Sequence, residues 1–160
     1  MKTLTLFTIL VLIPPCQIKE TANEYWIEKN ISWNAEKSSN ISYGYGRLIY
    51  LKSDGTLKML HALLIKRNDT LDFTLTEGGM LYCGEWEKTE MSIIMRNRRI
   101  DEKLGHEVNY IINKKLYIDT LTIKNNELIL KDSIILCKFK GCMTNYLERI
   151  LKKECNNKSD

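Results

Sequence analysis

Residues able to do chemistry are few in this chain: two histidines in 160 residues, five cysteines and a few closely spaced carboxylates. His61 stands mid-way along an apolar run, and His106 lies far from it in a charged stretch. A histidine between Leu60 and Ala62 reads as a core or cavity histidine rather than a general base. No serine has the Gly-x-Ser-x-Gly setting of a nucleophile elbow. Glu85 with Glu87, or Asp69 with Asp72, would resemble glycosidase carboxylates only if they faced each other across a cleft. Two residues apart on a strand, Glu85 and Glu87 share one face and read as solvated. Cys137, Cys142, Cys155 and His106 lack the paired close spacings of zinc modules, so no metal site is expected. The expectation is of a protein that is not an enzyme and carries no cofactor.

The amino terminus, MKTLTLFTILVLIPP, has one positive charge at Lys2 and then a mainly apolar run from Leu4 to Ile13. That is the layout of a secretory signal, and the run falls short of the roughly 20 apolar residues of a membrane-spanning helix. Export is therefore expected, with residues 1–15 as signal peptide. Cys16, directly after the leader, resembles the lipid-modified cysteine of the bacterial lipobox, with Pro15 where that pattern has a small residue. The resemblance implies an acyl group on Cys16 that anchors the chain to a membrane of the cell envelope. The alternative is cleavage nearby by an ordinary signal peptidase and a periplasmic protein. In an exported chain the other cysteines invite bridges. Cys142 with Cys155 would clip the end of the chain to the sheet, and Cys83 with Cys137 would join two strands. Buried reduced thiols are the other reading.

Hydrophobic residues make up 44% and charged residues 28%, close to a soluble globular domain. The formal charge is +4, from 24 Lys and Arg against 20 Asp and Glu. The basic residues are scattered apart from Arg96, Arg98 and Arg99, so a nucleic-acid partner is not expected. Asn30, Asn40, Asn68 and Asn157 each begin an Asn-x-Ser/Thr triplet, which chance largely explains in a chain this rich in Asn.

The elements that position these residues centre on Tyr43 to Arg96. Apolar runs there are cut by Asp54-Gly55, Asn68-Asp69 and Gly78-Gly79, which predicts a β-meander. Gly44 and Gly46 suit a strand that bends sharply or runs under another backbone. From Thr56 to Lys66 the strand is apolar on both faces, so it is covered on both sides or lines a cavity on one. Gly84 is read as leaving room for a bulky neighbour such as Tyr82 or Trp86.

Residues 16–42 read as a tether and entry segment, in which Trp26 and Trp33 cap the open end of a barrel or pack outside it, or Trp26 and Ile27 begin a short helix or strand. Asn97 to Asn109 reads as a charged loop or single helical turn. Strands then resume as YIIN, LYIDTLTI, Glu127–Leu130 and IILCKF. Thr144 to Cys155 carries apolar residues at helical spacing, with Thr144 as N-cap. The fold expected is all-β: an antiparallel up-and-down barrel or half-open sandwich of eight or nine strands over residues 43–160, with a short C-terminal helix.

Tyr50 to Thr56 (Tyr-Leu-x-Ser-Asp-Gly-Thr), Asp69 to Phe73 (Asp-Thr-Leu-x-Phe) and Gly79 to Trp86 (Gly-Met-Leu-Tyr-x-Gly-x-Trp) resemble the small lipocalin-like lipoproteins of Bacteroidetes-type bacteria. The likeness covers about half the mature chain. It implies an up-and-down barrel or half-open sandwich in the cell envelope and little about activity. From the residues themselves the leading expectation is a binding module for a small hydrophobic ligand, with Met59, His61, Tyr82 and Trp86 as lining. The alternative is an interaction protein, an inhibitor or assembly factor, with a solid core that acts through its loops and the Trp26 to Trp33 segment. No particular protein partner is indicated.

Overall fold

The structure, a computed structural model, describes residues 23–37, 39–74, 79–103, 109–131 and 133–152. Eleven strands and one helix follow in chain order: β1 Glu24–Glu28, β2 Asn34–Ala35, β3 Ile41–Leu51, β4 Thr56–Arg67, β5 Thr70–Thr74, β6 Met80–Lys88, β7 Ser92–Lys103, β8 Asn109–Lys124, β9 Glu127–Leu130, β10 Ile134–Lys138, β11 Cys142–Met143 and α1 Asn145–Lys152. Eight of them, β1, β3, β4, β6, β7, β8, β9 and β10, close into an antiparallel barrel, because β3 pairs with both β1 and β4 while β1 also pairs with β10.

Turn chemistry sets the hairpins. Between β3 and β4, Gly55 takes φ +84°, and the Asp54 carboxylate accepts from the Thr56 backbone N–H at 3.0 Å and the Thr56 hydroxyl at 2.6 Å. Asn68 turns β4 into β5 at φ 52°, and Asn125 and Asn126, at 51° and 61°, join β8 to β9. Asn reaches this left-handed region at lower cost than most residues, so these are the places where the chain reverses.

β4 divides its length between two partners. Thr56–His61 pair with β6 inside the ring, whereas Leu63–Arg67 pair with β5, which lies outside it. The barrel thus has two distinct ends, one carrying the β3–β4 turn at Gly55 and the other lying beyond His61.

Strand alternation sorts the core into two layers. Inward-facing Trp26, Ile49, Leu51, Leu57, Met59, Met95 and Leu121 belong to the barrel interior. Outward-facing Leu48, Tyr50, Leu60, Ala62, Leu64 and Leu81 form a second cluster with Leu71 and Phe73 of β5 and Leu147 and Leu151 of α1. Both faces of β4 are therefore covered, one by the barrel and one by β5 and the helix. Each fully buried aliphatic side chain contributes about 1.5–3 kcal/mol, so the outer layer is a large share of the stability.

The helix is fixed at both ends. Thr144 caps it, its hydroxyl accepting from the Leu147 N–H at 3.2 Å and donating to Asp72 at 2.9 Å. At the other end the buried Lys58 ammonium donates to the Ile150 carbonyl at 2.7 Å, where a cation suits the helix dipole.

Several expectations are corrected. The barrel begins before Tyr43: within the stretch read as a tether, the short strand at Trp26 and Ile27 holds as β1, and Trp26, 4% exposed, points into the barrel rather than capping its end or packing outside it. The charged stretch from Asn97 is strand as far as Lys103, and β8 is one continuous strand across Lys114-Lys115. Gly44 and Gly46 admit the side chain of Ile31, whose Cδ1 would lie 2.6 Å from a Cβ at Gly46. At Gly84 it is backbone, not Tyr82 or Trp86, that takes the space. A Cβ there would meet the Arg96 carbonyl oxygen and fall 2.6 Å from Asn97 Cα.

Gly84→Ala is accordingly expected to lower stability by about 1–3 kcal/mol, because strand backbone cannot yield as a side chain does. A urea unfolding midpoint within error of wild type would show that β6 and β7 separate at no cost.

Candidate ligand-binding site

The site begins with alternation on β4. Leu57, Met59 and His61 face inward, and their partners on β6 are Gly84, Tyr82 and Met80. On β3, Arg47 sits opposite His61, and on β8 Tyr117 and Asp119 sit opposite Asn97 and Met95 of β7. These pairings bring a polar and aromatic ring of side chains to the His61 end of the interior. Beneath it, Met59, Met95 and Leu121 form an apolar floor, with exposures of 6%, 0% and 0%.

The ring is held by specific contacts. Arg47 donates to the Glu28 carboxylate from Nη1 at 3.1 Å and from its backbone at 3.2 Å. Tyr45 meets His61 edge to face at 5.5 Å, and Tyr82 meets Tyr117 in the same way at 5.9 Å. The Tyr82 hydroxyl donates to Met80 Sδ at 3.1 Å. Asn97 Nδ2 donates to Asp119 at 3.4 Å, and Lys131 lies 3.5 Å from the other oxygen of that carboxylate.

Inward-facing side chains of a barrel filled to its end would be buried, yet here His61, Tyr82 and Tyr117 all keep partial exposure. Arg47 and Glu28 keep 26% and 20% of their side-chain surface. Solvent therefore reaches the rim of the barrel at this end and stops above Asn97, Met95 and Leu121, which have no exposed surface. Burial, and then the Arg47 guanidinium, hold the His61 imidazole below its ordinary pKa, with Glu28 acting weakly the other way. Burial, and then Tyr117, push the Tyr82 phenol up.

Of the four expected lining residues, the structure brings together Met59, His61 and Tyr82. Trp86 shares the inner face but stands four residues, about 13 Å, along β6 from Tyr82. Its indole donates to the Lys52 carbonyl at 2.9 Å and helps close the Gly55 end. Arg47, Asn97, Tyr117 and Asp119 complete the ring and were not singled out by the sequence. Reading Ile93, Met95 and Asn97 as alternate residues of one strand would have placed Asn97 inside.

The expected disulfide pairings are not made. Cys83 is disulfide-bonded, with its partner outside the described residues, while Cys137 and Cys142 are thiols. Cys83 and Cys137 cannot meet, because β6 and β10 stand four strands apart in either direction around the ring. Cys16, His106 and Cys155 lie outside the described residues. Glu85 and Glu87 are exposed, and Glu87 binds Arg96 at 2.8 Å. Asp69 is exposed, whereas Asp72 holds Thr144.

Among the described residues no group of three or more His, Cys, Asp and Glu could hold a metal ion, and no helix is long and apolar enough to cross a membrane. Neither a protein-family model, nor a curated protein, nor a solved structure matches the chain.

A lowered His61 pKa means that the unfolded chain binds the proton more readily than the folded one. Its contribution to stability is present above the unfolded value of 6.5 and is lost as pH falls through the folded midpoint. The expected result is an NMR titration midpoint for His61 below 6.5, with a urea midpoint that drops less between pH 7 and 5 in His61→Gln than in wild type. Equal drops would remove His61 as the cause.

Proposed function

We propose that the chain is an exported, lipocalin-like binding protein, held at a membrane by an acyl group on Cys16, whose barrel takes a small hydrophobic ligand through its His61 end. The observation that carries this reading is the partial exposure of inward-facing His61, Tyr82 and Tyr117 above an apolar floor. An apolar interior with a few convergent polar groups is the usual make-up of a small-molecule site. The two-sided apolar character of β4 no longer adds to it, since β5 and α1 account for the outer face.

A protein-interaction role is the second reading. It is favoured by Leu116 and Ile118, 47% and 64% exposed on the outer face of β8. Its expected docking segment loses Trp26, which lies inside the barrel.

Titration with a fluorescent apolar probe, such as 1-N-phenylnaphthylamine, tests the ligand reading. Saturable binding is expected, weakened at least tenfold, about 1.4 kcal/mol, when Met59→Trp fills the floor. A folded protein that binds no apolar probe would sink the reading. Mass spectrometry of protein from its own host checks the anchor, and an unmodified Cys16 would remove it without touching the barrel.

A further inference from the structure

Four Asn-x-Ser/Thr triplets stand in a chain whose 13 asparagines and 20 serines and threonines would place one or two by chance. Asn157 lies outside the described residues. The other three asparagines, Asn30, Asn40 and Asn68, are all exposed. None sits inside a strand: Asn30 is in the turn after β1, Asn40 directly precedes β3, and Asn68 makes the β4–β5 turn at φ 52°.

Their side chains are also uncommitted. Among the described residues no hydrogen bond holds the side-chain amide of Asn30, Asn40 or Asn68. The amides of Asn23, Asn97 and Asn113, by contrast, are bonded to Ser53, Asp119 and Lys115, and none of these three begins a triplet. The triplets thus avoid the asparagines that the fold uses.

The three also share one end of the molecule. Glu24 pairs with Leu51 beside the Gly55 turn, so β1 runs away from that turn and Asn30 follows its far end. Asn40 and Asn68 meet beyond the paired ends of β3 and β4, where the Asn68 N–H donates to the Asn40 carbonyl at 3.1 Å. A bulky polar group on any of them would extend into solvent and displace nothing from either core layer. Cys83 is disulfide-bonded, as in the oxidising compartments through which exported chains pass.

We propose that Asn30, Asn40 and Asn68 are acceptor sites for N-linked glycans. The donor is an oligosaccharide carried on a polyprenyl diphosphate, and a transferase of the export pathway supplies the catalysis. The Asn amide nitrogen attacks the anomeric carbon of the first sugar. The N–C bond forms, the C–O bond to the diphosphate breaks, the polyprenyl diphosphate leaves and the nitrogen loses one proton. Nothing is oxidised or reduced. The proposal rests on the export named above and uses neither the acyl group on Cys16 nor the ligand.

The test is made on protein recovered from its own host and treated with peptide-N-glycosidase in heavy-oxygen water, which turns each glycosylated asparagine into labelled aspartate. Peptide mass spectrometry is expected to find the label at Asn30, Asn40 and Asn68. Each unlabelled position is struck as a site. A chain that has lost its leader but carries label at none of the three overturns the proposal and leaves export standing, whereas a chain that keeps its leader defeats both. Variants secreted from a glycosylating cell line show whether the fold needs these side chains. Asn30→Gln, Asn40→Gln and Thr70→Val, the last keeping the Asn68 turn, are each expected to remove one step in gel mobility with an unchanged urea midpoint. A midpoint that falls in all three would assign the asparagines to the fold and overturn the proposal.

Discussion

Everything in this fold depends on β4 being apolar on both of its faces. One face needs a barrel to cover it and the other needs an outer layer, so neither the eight-stranded ring nor the β5–α1 layer satisfies the strand alone. β3 and β6 share the same two-sided character beside it, and together the three make a wall with a core on either side. Removing the helix would expose Leu60 and Ala62 to water as surely as opening the ring would expose Met59. Lys58 sits in that wall as well, and its bond to the helix backbone lets a charged residue stand among apolar neighbours.

The second constraint is the close approach of β7 to β6 at Gly84. It fixes Asn97 directly across from a residue with no side chain, which leaves the amide enclosed and without a donor from β6. The polar ring of the interior is thus a by-product of backbone geometry as well as of residue choice. Arg47 pairs with Glu28 and Lys131 with Asp119 around it, and Arg99, opposite Tyr82, adds a further cation at the rim.

Legibility followed burial. Where both faces of a strand are buried, as in β3 and β4, every residue is constrained and the alternation stands out in the sequence. On β7 and β8 the outer face is solvated, and Arg96, Arg98 and Leu116 obey no apolar rule, so the same alternation is diluted: the end of β7 from Asn97 reads as loop, and β8 reads as two strands broken at Lys114-Lys115. Met59, His61 and Tyr82 were therefore readable as inward-facing, while Asn97, Tyr117 and Asp119 were not. β1 is too short to show a period, and only its pairing to β3 and β10 reveals its role. Cysteine pairing was out of reach for another reason: separation around a closed ring is a property of the assembled sheet, and chain spacing does not report it. The helix, by contrast, announced itself through Thr144 and the Leu147 and Leu151 spacing.

Closure has a consequence for how the chain behaves among other chains. A strand apolar on both faces is the sort of segment that recruits a neighbouring molecule when it is left at the margin of a sheet. Here β3, β4 and β6 all stand within the ring, and the strands at the two margins of the described sheet, β2 and β11, are two residues long. The apolar wall is therefore held inside the ring, away from either margin.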